Sequence, residues 1–186
     1  MDTSTLPARE RILLTAHELF YCDGIRATGV DRLIAASGVA KLTFYRHFAS
    51  KDELIRAFLA YRHERWMAWL LEALQRHGAT PAGGLAPLIG ALAEWFADPL
   101  FRGCAFINTV AEVGASLPDT VVIAQNHKRD MAEVIATLLK PGSQREAIAQ
   151  AVAVAVDGAI VRAQMEGAAP ALDSLRVLLA LQGDLM

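Results

Sequence analysis

Glycine and proline cut this chain into pieces of helix length, and that punctuation limits the fold before any motif is considered. Turn signals fall at Gly24, Gly38, residues 78–84, Asp98-Pro99, Leu117-Pro118, Pro141-Gly142 and Ala169-Pro170. Between them, apolar residues recur with helical spacing, as in Ile12, Leu13, Ala16, Leu19 and Phe20. Helices are expected at about 7–23, 28–37, 41–48, 50–77, 85–97, 100–114, 119–140, 143–167 and 171–184. Thr28 with Asp31 and Ser50 with Glu53 read as capping boxes for the second and fourth. Ala151 to Val156 alternates like a strand, but it lies in an Ala-rich stretch without turn signals and reads as helix. The expected fold is all-α. An N-terminal three-helix domain over 1–50 carries a helix-turn-helix, and a larger helical domain covers 51–186.

The chain has 186 residues, 54% of them apolar and 20% charged, which excludes a disordered chain and is enough for a real core. So apolar a chain needs an interior cavity to line or a partner surface to cover. No apolar run approaches the roughly 18 residues of a membrane span, so no membrane is expected. From Ala147 to Val161 only Gln150 and Asp157 are strongly polar, seven apart on one narrow stripe, so the eighth helix must be covered on more than one side. The ninth is also apolar over a wide arc. Together they suggest a two-fold homodimer interface built on Val152, Val156, Ile160, Leu175, Leu178 and Leu179, unless they simply form the core of the C-terminal half. Two cysteines, Cys22 and Cys104, are too few for a disulfide framework, and no signal-peptide pattern opens the chain, so a cytoplasmic protein is expected.

Net charge is −2, but it is unevenly placed. Residues 26–51 hold five Lys/Arg against Asp31 alone, a local net of +4, which points to an anionic partner. The same stretch reads as short helix, tight turn, short helix. Leu33, Ile34, Val39, Phe44 and Phe48 can pack together, with Gly38 in the turn. Phe44 and Phe48, four apart, face inward and so place Leu42 and Arg46 on the opposite side, with Thr43 and Tyr45 on the flanks. That outer face suits a major groove. Arg46 can donate to guanine, Leu42 can touch a thymine methyl, and Thr43 can do either. Tyr45 and Lys51 are better placed for phosphate, as is Thr28, which is a helix cap first. Tyr45 can instead pack its ring on a neighbouring helix. Lys41 can reach DNA or stay solvated, and His47 lies nearer the packed side.

The stretch from Arg11 to Leu54 resembles the N-terminal domain of TetR-family transcriptional regulators. The resemblance is carried above all by Gly38-Val39-Ala40-Lys41-Leu42-Thr43-Phe44-Tyr45-Arg46-His47-Phe48 and Ser50-Lys51-Asp52-Glu53-Leu54. It covers about a quarter of the chain, and Phe101 to Asn108 resembles a segment of some members. The resemblance implies an all-helical homodimer, usually a repressor, that binds a palindromic double-stranded operator and a small-molecule effector. It places DNA contacts on Lys41, Thr43, Tyr45, Arg46 and Lys51, and on Thr28 less securely. Two departures stand out: Ile34 where Ala is frequent, and Leu42 where a small residue is common.

Effector contacts are sought on apolar faces with a few polar groups, at Trp66, Trp69, Trp95, Phe96, Phe101, Phe106, Asn108, His127 and Met131. Glu112 reads as solvent face and His127 as exposed. Without charge clusters among these residues, an apolar or aromatic effector is expected. Cys104 has only Arg102 as a nearby cation in sequence and reads as a buried, inert thiol. Neither a metal nor a cofactor is expected, since no histidine pair has i, i+4 spacing and the cysteines are far apart. The chain has no Gly-x-Ser-x-Gly elbow, phosphate loop or His-Glu-x-x-His motif, so an enzyme is not expected. The alternative is a helix-turn-helix module that binds protein instead of DNA.

Overall fold

The computed structural model describes residues 5–183, and among these it contains helices only. They are α1 Ala8–Asp23, α2 Val30–Ser37, α3 Lys41–His47, α4 Lys51–Arg76, α5 Ala86–Phe96, α6 Ala105–Val113, α7 Asp119–Leu138, α8 Arg145–Glu166 and α9 Ala168–Gly183. The nine expected segments all form. Two boundaries move for identifiable reasons. Helix α6 starts at Ala105 rather than near 100, because Gly103 takes φ +79° and Gln164 closes over it, donating to the Arg102 carbonyl at 2.9 Å. Helix α9 starts before Pro170 rather than after it. A proline in the first turn removes only an amide that has no intrahelical acceptor.

The chain divides into two compact units. The first runs up to Glu64 and takes in Ala105–Ala124; the second is Arg65–Cys104 with the residues from Gln125 onward. The boundary expected at residue 50 therefore lies inside the first unit, which keeps the N-terminal half of α4 and all of α6. Its core gathers Ile12, Ala16 and Phe20 from α1, Leu33 from α2, Phe44 and Phe48 around α3, and Leu54, Ile55 and Phe58 from α4. Each fully buried side chain of this size contributes about 1.5–3 kcal/mol by leaving water. The start of α4 is capped as its sequence predicts: the Ser50 hydroxyl accepts from the Glu53 amide at 3.1 Å, and the Glu53 carboxylate accepts from the Ala49 amide at 2.9 Å. The expected box at Thr28 does not form, for a reason given below.

In the second unit α8 packs along α9, and α5 packs on α9 as well. Val152, Val156 and Ile160 of α8 and Leu175 of α9 are buried within the chain itself. Those four members of the expected dimer surface are thus core; Leu178 is exposed and Leu179 half-buried. The apolar side chains left outside are Val154, 72% exposed, with Val161 and Met165 on α8 and Val177, Leu178 and Leu181 on α9. On length and composition alone α8 can cross a bilayer, with a mean hydropathy of 1.3, contrary to the expectation that nothing in the chain approaches that size. Its buried Val152, Val156 and Ile160 are those of a core helix.

Candidate functional site

Two constellations emerge, one in each unit. In the first, α2 ends at Gly38, which adopts φ +63°, ψ +30°, a left-handed conformation that costs other residues roughly 1–2 kcal/mol. Its amide closes on the Ala35 carbonyl at 3.3 Å, and the chain turns straight into α3. Phe44 and Phe48 are buried, so α3 has its orientation fixed from behind. Lys41, Leu42, Tyr45 and Arg46 are exposed and Thr43 is half-buried, with Leu42 at 74% exposure. Tyr45 sets its ring edge-on to Phe44 at 5.4 Å but remains largely open to solvent. Lys41 lies 3.7 Å from Asp31, an exposed pair worth little in water and readily exchanged for a phosphate.

Thr28 and Lys51 do not belong to that outer face. Thr28 is fully buried and donates from its hydroxyl to the Gly24 carbonyl at 2.8 Å, leaving Gly29 as the residue before α2. Its side chain therefore neither caps α2 nor reaches outward. Lys51 turns back onto the same segment: Nζ donates to the Ile25 carbonyl at 2.5 Å and lies 5.9 Å from the Phe20 ring centre. Burial holds its ammonium below the ordinary value of 10.5, partly offset by Glu112 and Asp52. Glu112, expected on a solvent face, accepts from the Arg26 amide at 2.8 Å. Three side chains far apart in sequence thus fasten the α1–α2 turn, and no spacing rule would have joined them.

In the second unit, six of the nine expected effector contacts form one aromatic cluster. Trp66 lies 5.1 Å from His127, 5.5 Å from Trp95 and 6.2 Å from Trp69; Phe101 lies 5.2 Å from Trp95 and 5.0 Å from Phe96. Most of these pairs are tilted or edge-on, as the ring quadrupole favours. Trp66, Trp95, Phe96 and His127 are buried, while Trp69 and Phe101 are half-buried. His127 is thus a member of the cluster and not the exposed residue expected. Met131 is buried in the same unit, whereas Phe106 and Asn108 belong to the first unit.

The N-terminal constellation coincides with a family model. Residues 12–58 match the model of bacterial regulatory proteins of the tetR family. Among solved structures, a TetR-family transcriptional regulator from Streptomyces coelicolor superposes with a TM-score of 0.80 at 28% identity, over 93% of this chain and 94% of that one. The chain carries the DNA-binding domain of the TetR family and shares the fold of a TetR-family transcriptional regulator over nearly its whole length. It is 24% identical to the HTH-type transcriptional regulator UidR of Escherichia coli K12 over 78% of its own length and 71% of the relative's. It is also 36% identical to the HTH-type transcriptional activator FasR of Mycolicibacterium smegmatis, over 38% of this chain and 33% of that one. TetR-family proteins are DNA-binding regulators, not enzymes.

Directly after His127 of the aromatic cluster, the chain holds a half-buried ionic group that its sequence does not announce. Lys128 donates to Asp157 at 2.5 Å and to the buried Cys104. Burial opposes the ammonium, but Cys104 and Asp157 together outweigh it and raise its pKa above 10.5. The cation beside Cys104 is therefore Lys128, from 24 residues further along the chain, and not Arg102. A separate cleft of about 680 Å³ in the same unit is bordered by Gly84, Leu85, Leu139, Gly142, Ile148 and Leu179. Its lining contains no aromatic side chain.

Proposed function

We propose that this regulator is a cytoplasmic repressor that binds a palindromic operator as a homodimer and is released by a small apolar or aromatic effector. The observation that carries the DNA-binding part is the outer face of α3. Leu42, Thr43, Tyr45 and Arg46 stand outward on a helix whose inward residues are fully committed to packing. Arg46 donates to a guanine edge, Leu42 and Thr43 meet thymine methyls or other base edges, and Tyr45 and Lys41 hold phosphates. Thr28 and Lys51 act from behind, by fastening the turn before α2.

The dimer reading rests on Val154, Val161 and Met165 of α8 and Val177, Leu178 and Leu181 of α9, which are large apolar side chains left exposed on two helices packed on one another. A two-fold dimer presents two copies of α3 to successive major grooves, roughly 34–36 Å apart. The effector reading rests on the aromatic cluster. A ligand that prefers a dimer with another spacing by about 1–3 kcal/mol weakens operator binding measurably.

Fluorescence anisotropy on the duplex flanking the protein's own gene, with a salt titration, tests the central reading. Tight, salt-dependent binding of two chains per site, lost in Arg46→Ala, is the expected result. Absence of binding there and in a random-sequence selection favours the protein-binding module. A Val154→Glu, Leu178→Glu double variant is expected to sediment as a monomer; an unchanged dimer sinks the α8–α9 interface. A reporter driven by the bound promoter gives the sign of regulation: expression that falls when the protein is supplied supports a repressor, and a rise overturns it.

A further inference from the structure

One polar atom of the aromatic cluster has no partner among the described residues. Trp66 and Trp69 lie three apart on α4, so they share a helix face, yet their indole N–H groups fare differently. Trp69 donates to the Glu94 carboxylate, which is also held by Arg76 at 2.5 Å. Trp66, only 6% exposed, has its Nε1 buried and unbonded. A buried donor without an acceptor is costly and uncommon in folded chains. Its ring neighbours Trp95 and His127 stand edge-on at 5.5 and 5.1 Å. The electrostatics of the surroundings narrow what satisfies it. An indole N–H is the positive edge of its ring and repels a cation. An anionic ligand would need a cation to meet it, and those near the rings in sequence are engaged: Arg76 with Glu94, Lys128 with Asp157 and Cys104, Arg102 with the Pro99 and Phe101 carbonyls, and Arg65 with a partner of its own.

Resting on the reading of this cluster as the effector site, we infer that the effector is a neutral, flat molecule bearing a carbonyl-type oxygen, and that Trp66 Nε1–H donates to that oxygen. The rings supply area and hold the plane of the molecule; the Trp66 donor sets its orientation. A hydrocarbon of the same shape gains the area and leaves the donor buried without an acceptor. This distinguishes the cluster from an aromatic cage for quaternary ammonium, in which only ring faces are offered.

The test uses the full-length protein labelled with nitrogen-15 at its three tryptophan indoles, and three probes of common shape: 2-acetylnaphthalene, 2-ethylnaphthalene and 2-naphthyltrimethylammonium. The expected result is binding of the ketone about tenfold tighter than the hydrocarbon, with the ammonium weakest. The Trp66 indole proton moves downfield with the ketone alone, while that of Trp69, held by Glu94, does not. Trp66→Phe keeps the apolar surface and is expected to bind ketone and hydrocarbon equally. If that variant does not fold, the wild-type indole spectrum decides alone. Equal wild-type affinities with an unmoved Trp66 signal overturn the donor assignment but leave the effector site standing, and preference for the ammonium does the same. If none of the three probes binds or shifts any indole signal, both the assignment and the effector site fall.

Discussion

The outer face of α3 and the aromatic cluster, the two candidate sites, are built in opposite ways. On α3 the side chains that matter are those left over after packing: Phe44 and Phe48 are consumed by the core, and Leu42, Tyr45 and Arg46 remain outside. In the cluster the packed side chains are themselves the candidate contacts, since Trp66, Trp95 and His127 are buried while forming its centre. Folding and function are therefore separable by mutation in the first region and entangled in the second.

The sharpest break in that comparison is expected from Phe44→Ala, which removes a fully buried ring behind α3 and should cost about 3–5 kcal/mol in urea denaturation. A loss below 1 kcal/mol would mean that α3 is not oriented from behind. Arg46→Ala, just over half a turn away, is expected to leave stability within about 0.5 kcal/mol while weakening operator binding by about 1–3 kcal/mol and relaxing one base position. Comparable losses of stability and affinity would erase the separation between the two faces. For Lys51→Met the expected outcome is intermediate: lower stability through the released Ile25 carbonyl, with the salt slope of DNA binding unchanged. A slope that falls by about one would return Lys51 to the phosphate face.

The smallest effect concerns Lys128. Its ammonium is held above the ordinary 10.5 in the folded chain, so its stabilising contribution is complete below that value and is lost as pH rises through the folded pKa. Melting temperature should therefore drop in strongly alkaline solution in the wild type and drop less in Lys128→Met. Parallel curves for the two proteins would remove Lys128 from the account.

What was readable in the sequence follows from how local each feature is. Gly38, the Phe44 and Phe48 pair and the Ser50–Glu53 cap act within a turn or two of helix, and all three take the positions that their spacing predicts. The aromatic composition of the cluster's segments was equally plain, although large rings at helical spacing serve a core as readily as a ligand. Failures came where a contact closes over a long stretch of chain. Nothing near Thr28 announces that its hydroxyl turns inward to Gly24, and nothing near Cys104 announces Lys128. Helix α8 failed for another reason. It is apolar around most of its circumference, so periodicity cannot choose which side meets α9: Val152, Val156 and Ile160 turn inward, and Val154, Val161 and Met165 occupy the outer side.

The exposure of Leu42 has a consequence for descent. At 74% exposure the side chain takes almost no part in holding the helices together, so replacing it changes stability by no more than about 0.5 kcal/mol. A lineage carrying this scaffold can drift through many residues at that position without passing through an unfolded ancestor. Whatever this position meets and the architecture that presents it can then evolve on separate clocks.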